Sequence, residues 1–482
     1  MAQQSSKAQS QGGSPESSWV LGVLDPSRQG SPSTFPWSWS SLLYRRRKHI
    51  PVDLASRLDS PMSTNGAILL CATLLVAGVN CLDNDLAQTP PMGWLTWSRF
   101  MCNECALGRH ENCLTSELIL QMADRMVEDG YLAAGYEYLI IDDCWSHTDR
   151  DREGKLFADP RRFPEGMKNL VEKVHQKGLK FGIYADIGVK TCGGFPGSYG
   201  HYTTDAETFA EWGVDYVKVD GCNAKPTELD TLYPQMGEAL RSTGRDMVYS
   251  CEWPLYQLVA GILPDYKNIS KNCNLWRNYF DVNYTWENVY NIINFEASIQ
   301  DLVTNVSGPG AWTDPDMLVI GNFGLTIQLQ RAHMAYWAIM AAPLIMSNDL
   351  RDIAPESKDL LLNKFIIAID QDPLGLMGRR IYKGNNLDIW ARWVTPELAD
   401  RKLSLAVLLY NTKVLGGPVQ ASVSLKSLGL DSPTGYLVTD LIRNNTVVGK
   451  FYPEHSINAT IAPMDVFFFK ATVLSGMHDT VL

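Results

Sequence analysis

The 482-residue sequence predicts an α/β protein: a (β/α)8 TIM barrel followed by a C-terminal antiparallel β-sandwich domain. Three observations carry that prediction. Short apolar runs ending in a polar residue recur eight times between residues 91 and 350, each followed by an amphipathic stretch with helical spacing. Carboxylates stand at or next to the ends of these runs. Beyond residue 375 helical spacing gives way to β-type segments separated by turn residues.

Residues 1–61 are rich in Ser, Gln, Gly and Pro and carry RRRK at 45–48, the composition of a disordered extension or an over-long gene model. A second possible start at Met62 precedes the apolar run Ala67 to Val79. At about 13 residues it is too short to span a bilayer and matches the core of a signal peptide, assigned to 62–81. The expected domains are 82–375, barrel and catalytic, and 376–482, antiparallel β. A net charge of −11 argues against nucleic acid or an anionic membrane as partner, and no membrane span is expected in the mature chain. Ten cysteines occur in all. Setting aside Cys71 and Cys81, the remaining eight are an even number, in keeping with four disulfides and an oxidising compartment. Sequons at Asn268, Asn283, Asn305, Asn444 and Asn458 add the expectation of a glycoprotein that is lysosomal or secreted.

The strand candidates are 91–97, 136–145, 179–187, 214–222, 246–253, 274–282, 311–320 and 343–350. Helical stretches are read at 115–134, 164–177, 205–212, 228–240, 286–302, 325–342 and about 356–366. Eight successive units without a Gly-rich nucleotide turn favour the barrel over a doubly wound sheet. The fourth run, VDYVKVDGC at 214–222, is the best defined: Lys218 and Asp220 share one face, Gly221 lets the chain turn, and Cys222 can pin that turn. With Asp220 come Asp142, Asp143, Asp186, Glu252, Asp281, Asp316 and Asp349, all expected on the face where such barrels build their sites. Trp94, Trp97, Tyr184, Trp253, Tyr256 and Trp276 arrive with them. Carboxylates for hydroxyls and aromatic faces for C–H surfaces suit a sugar pocket. The C-terminal strands, read from LDIWARWV to DVFFFKATV, carry no catalytic cluster.

No histidine falls at a barrel strand end, which disfavours a metal hydrolase, and neither metal nor cofactor is expected. Two-carboxylate glycoside hydrolysis remains, with one Asp attacking the anomeric carbon and another protonating the leaving oxygen. Asp220 beside Lys218 suits the ionised nucleophile. Spacing alone does not choose the acid.

The motifs TPPMGWLTW, IDDCW, GIYAD, VKVDGC, SCEWPLY, LWRN with its Asp, and DPDMLVIGNFGL resemble glycoside hydrolase family 27. The likeness is dense from about Leu82 to Ile381. It implies a retaining exo-glycosidase that releases terminal α-linked galactose from glycolipids, glycoproteins or oligosaccharides, with α-N-acetylgalactosaminidase as the alternative. An inactive galactose-binding lectin is the alternative of another class. On the matching positions, Asp220 is the implied nucleophile and Asp281 the implied acid/base. Trp97, Asp142, Asp143, Tyr184, Lys218, Glu252, Tyr256, Arg277, Asp316 and Met317 are implied to line the galactose pocket. Leu255, with Glu252, is implied to exclude a 2-acetamido group. The resemblance further implies disulfides Cys102–Cys144, Cys105–Cys113, Cys192–Cys222 and Cys251–Cys273, a homodimer, and lysosomal delivery through mannose-6-phosphate. Three features depart from the family pattern. No cysteine follows Cys273, residues 1–61 have no counterpart, and Asn283 sets a sequon two residues past Asp281.

Overall fold

The computed structural model describes residue 82 and residues 84–103 and 113–475. The expected extension (1–61), the expected signal peptide (62–81) and Cys105 lie outside the described residues. Eight parallel strands form: β1 (Met92–Leu95), β2 (Tyr138–Ile141), β3 (Lys180–Asp186), β4 (Tyr216–Asp220), β5 (Val248–Cys251), β6 (Leu275–Arg277), β7 (Trp312–Asp314) and β8 (Leu344–Met346). Their order is β7-β6-β5-β4-β3-β2-β1-β8. Leu318, just past β7, completes the circuit by pairing with Met346, its amide donating to the Ile345 carbonyl at 2.7 Å. Each expected window contains one of these strands, but the strands are shorter. Positive φ at Cys144 (71°) and Asp316 (86°) takes the chain out of extended conformation at the rim. Every strand residue except Lys180 is buried, as in a parallel sheet covered by helices on one face and packed inside on the other.

The helices are α1 (Trp97–Phe100), α2 (Ser116–Glu128), α3 (Gly166–His175), α4 (Tyr202–Trp212), α5 (Leu229–Ser242), α6 (Trp253–Val259), α7 (Tyr266–Asn272), α8 (Trp286–Val303), α9 (Ile327–Met340), α10 (Pro355–Leu361) and α11 (Lys364–Asp370). Thr115 caps α2 by accepting the Leu118 amide at 3.3 Å, and Leu118, Ile119, Met122, Ala123 and Met126 are its buried stripe. The helix ends at Glu128 rather than running to 134, because Gly130 takes φ 91°. The strand expected over 246–253 stops at Cys251; Pro254 favours a helical first turn, and α6 starts at Trp253.

The C-terminal strands are β9 (Arg379–Gly384), β10 (Leu387–Glu397), β11 (Leu403–Asn411), β12 (Val419–Ser424), β13 (Tyr436–Asp440), β14 (Thr446–Phe451), β15 (Ser456–Ile461) and β16 (Val466–Val473). They build an antiparallel six-stranded sheet, β14-β13-β16-β11-β10-β9, and a facing pair, β12-β15. One face of β11 puts Leu405, Val407 and Leu409 into a core shared with Val423, Ile457 and Ile461. Its other face puts Tyr410 against Trp286 and Tyr290 of α8, and Tyr336 of α9, at 5.4–5.8 Å between ring centroids. Buried on both sides, β11 runs apolar from Leu405 to Leu409 rather than alternating.

Three expected disulfides form, Cys102–Cys144, Cys192–Cys222 and Cys251–Cys273, with Cα separations of 5.4, 5.3 and 6.1 Å. The expected Cys105–Cys113 bridge depends on a residue outside the described ones. Asn283, Asn305, Asn444 and Asn458 are exposed, while Asn268, in α7, is half-buried.

Candidate active site

The carboxyl ends of β2–β6 surround a cleft of about 460 Å³. It is lined by Trp97, Asp142, Asp143, Tyr184, Cys192, Lys218, Asp220, Cys222, Glu252, Leu255, Tyr256, Val259, Phe280 and Asp281.

Asp220 ends β4 and is 8% exposed. Its Oδ2 accepts the Tyr184 hydroxyl at 2.9 Å; its Oδ1 accepts the Tyr256 hydroxyl at 2.5 Å and the Gly221 amide at 2.7 Å. Burial pushes its pKa up, against the pull of Lys218 and the Tyr256 hydrogen bond. Lys218, expected beside Asp220, sends its ammonium elsewhere: 2.7 Å to Asp142 Oδ2 and 3.3 Å to Glu252 Oε1. Two residues apart on one strand face, the side chains point the same way, but the longer lysine reaches Asp142 at the end of β2, beyond the intervening β3, and Glu252 just past β5. Gly221 is needed for close approach rather than for a turn. A Cβ there would stand 2.6 Å from Cδ2 of the Tyr256 ring.

Arg277, at the end of β6 and 2% exposed, ties the opposite wall together. It donates to Glu252 Oε1 at 3.1 Å and Asp281 Oδ1 at 2.9 Å, and pairs with Asp316 Oδ1 at 3.2 Å. Trp97 Nε1 holds the other oxygen of Asp281 at 2.9 Å. Asp281 is four residues past β6, on a loop, and its side chain is 49% exposed. Burial raises its pKa less than Arg277, Lys218 and the bonds from Arg277 and Trp97 lower it, so it sits below the ordinary carboxylate value. Glu252 and Asp316 are pushed by burial to about 7. Asp142 and Asp143 are also raised by burial.

Arg277, Asp316 and Met317 do not line the cleft. Asp316 lies behind it and accepts the Val282 amide at 2.7 Å, fixing the loop that carries Asp281; Met317 is buried in the wall. Asp349 is turned to Arg351 and Arg99 instead, at 2.7 and 3.9 Å. Trp94, Trp253 and Trp276 are fully buried core residues. Trp94 and Trp276 stand on β1 and β6, where both faces are packed, and Trp253 opens α6; none of the three rings lines the cleft.

Asp186 was legible as a rim carboxylate without a role. It accepts the Gly188 amide at 2.6 Å and the Cys222 amide at 3.0 Å, joining the two loops that the Cys192–Cys222 bridge also joins. Its nearest carboxylate oxygen lies within 4.8 Å of one on Asp220, and burial followed by that charge raises it to about 8. Although Asp186, Asp220, Cys192 and Cys222 converge, both sulfurs are spent in the disulfide. They offer no thiolate to a metal.

The family model for alpha galactosidase A matches residues 89–372. The chain belongs to that family, glycoside hydrolase family 27. Alpha-galactosidase A of Homo sapiens is 50% identical over 355 residues, which cover 73% of this chain and 81% of that protein. Alpha-N-acetylgalactosaminidase of Homo sapiens is also 50% identical, over 315 residues covering 65% and 76%. Alpha-galactosidase I of Mortierella vinacea superposes with a TM-score of 0.70 at 30% identity, over 81% of this chain and 98% of that one. Equal identity to two enzymes of different sugar preference leaves the choice to the cleft. Of the cleft residues, Cys192, Cys222, Val259 and Phe280 were not singled out as lining from sequence; two were assigned as a bridge and two are apolar loop or helix-end positions.

Proposed function

We propose that the chain is a retaining exo-α-galactosidase acting on terminal α-galactose of glycolipids, glycoproteins or oligosaccharides. The observation that carries this reading is the contrast between two carboxylates on one cleft. Asp220 is buried and gripped by three donors; Asp281 is half-exposed and bridged to Glu252 through Arg277. Asp220 attacks the anomeric carbon and forms a glycosyl ester as the bond to the leaving oxygen breaks. Asp281 gives that oxygen its proton. It then takes one from the water that cleaves the ester and regenerates Asp220. In the open cleft Arg277, Lys218 and the Trp97 hydrogen bond favour the ionised form of Asp281, whose side chain is open to solvent. A bound sugar displaces that solvent, and ester formation removes the charge on Asp220, so the proton balance shifts during the cycle.

Glu252 and Leu255 give the sugar preference. Glu252 Oε1 is occupied by Arg277 and Lys218, whereas its Oε2 accepts from no described residue and is available to a 2-hydroxyl. Leu255 fills volume that a 2-acetamido group would require. We expect nitrophenyl α-galactoside to be hydrolysed at least tenfold better than the α-N-acetylgalactosaminide, with reversal in Glu252→Ser/Leu255→Ala. Equal rates on both substrates would remove the specificity assignment. Binding of galactose without any turnover would favour the lectin.

Four exposed sequons and three disulfides support a secretory route ending in the lysosome or outside the cell, with residues 62–81 as the signal peptide. The homodimer rests on the family resemblance. Sedimentation of the secreted protein and sequencing of its N-terminus test both.

A further inference from the structure

Two apolar side chains on the cleft take no part in that reaction. Val259 and Phe280 line it together with Asp220 and Asp281, yet they are 43% and 45% exposed. Phe280 immediately precedes Asp281, and Val259 ends α6, the helix that also carries Leu255 and Tyr256. Polarity therefore changes outward along the cleft, from buried charged groups around Asp220 to an exposed apolar lip beside Asp281. The lip is held in place. The Phe280 ring meets Tyr279 edge-on at 5.5 Å between centroids, and Tyr279 packs at 5.1 Å on Phe295 of α8. A ring fixed before substrate arrives loses little freedom on binding.

We infer that Phe280 and Val259 form a subsite for the unit to which the galactose is attached, receiving the C–H face of a second pyranose on the phenyl ring. The inference rests on the α-galactosidase reading. If Asp281 protonates the leaving oxygen, the group bearing that oxygen lies next to residue 280. Neither side chain offers a donor or acceptor, so only a C–H surface is met favourably, and a flat aromatic face suits the axial hydrogens of a sugar ring. Two side chains make a lip the size of one ring rather than of an acyl chain. The cleft, about 460 Å³, is also larger than one hexose fills.

The experiment compares galactose release from α-galactosyl-(1→6)-glucose and from α-galactosyl fluoride, whose leaving group is one atom. In Phe280→Ala the ratio of kcat/KM for disaccharide over fluoride falls about tenfold, mainly through KM, whereas Phe280→Trp keeps it. Val259→Ala moves the same ratio by about threefold and decides the matter if Phe280→Ala does not fold. A ratio within twofold of wild type in Phe280→Ala overturns the subsite, and so does a loss in Phe280→Trp equal to that in Phe280→Ala. A larger loss for octyl α-galactoside than for the disaccharide makes the lip an alkyl surface and overturns the sugar assignment. No hydrolysis of the fluoride by the wild type overturns the α-galactosidase reading itself.

Discussion

At the scale of single residues, the cleft is a problem of too many carboxylates. Asp142, Asp143, Asp186, Asp220, Glu252, Asp314 and Asp316 are buried in and behind it, and the cations paired with this group are Lys218 in the cleft and Arg277 in its wall. Burial without a partner favours the protonated form, and the raised pKa values of these groups follow. Asp220→Asn tests the residue most directly. We expect turnover to fall roughly 10⁴-fold or more, as for loss of a nucleophile. The melting temperature at pH 7 should stay level or rise, since a buried charge is removed. A fluorinated galactosyl donor should label wild-type Asp220; label on another residue, or a variant with near-normal turnover, would sink the assignment.

At the scale of elements, the loop between β6 and α8 carries several duties in few residues. It bears Phe280 and Asp281, is fixed by Asp316 through the Val282 amide, and ends at Thr285. Thr285 caps α8 by accepting the Asn288 amide at 3.3 Å, and it is also the third residue of the Asn283 sequon. Asn283 Oδ1 accepts both the amide and the hydroxyl of Thr285, at 2.9 and 2.7 Å. Cap and sequon can be separated by substitution. Thr285→Ala should lose any glycan at Asn283 and about 1 kcal/mol of stability, Asn283→Gln the glycan with less of the stability, and Thr285→Ser neither. Glycopeptide mass and thermal melting read the two effects. A Thr285→Ala protein as stable as Thr285→Ser would mean that the cap contributes nothing.

At the scale of the whole molecule, the buried carboxylates make stability depend on pH. Asp186 stands at about 8, and Glu252, Asp316 and Glu296 at about 7, each raised first by burial. Their folded-state values lie above those of an unfolded chain, so their contribution is complete below about pH 4 and is lost as pH rises through 7 to 8. Asp159, lowered to about 2 despite burial by its bonds from Arg161 and by the charges of Arg162 and Arg161, acts oppositely but only at far lower pH. The melting temperature should therefore fall by several degrees from pH 5 to pH 8. A melting temperature that rises over that interval would contradict the placement of these groups. An acid-stabilised fold suits the lysosomal route proposed above.

The sequence by itself determined the eight barrel strands, the change to antiparallel strands after residue 375, and most of the cleft. These are legible because buried parallel strands need unbroken apolar runs, and because a barrel gathers the ends of its strands on one face. Asp220 and Lys218 could be read in that way. Asp281 could be read as one rim carboxylate among several, but only the family motif gave it the role of acid/base, and it stands on a loop beyond β6. Tertiary structure alone decided which neighbours each charge meets. Lys218 turns to Asp142 and Glu252, Asp349 to Arg351, and Asp186 to the amides of two loops. It also buried Trp94, Trp253 and Trp276 and left Phe280 exposed. Such pairings depend on distances of a few ångströms between segments remote in the chain, and local pattern carries no record of them.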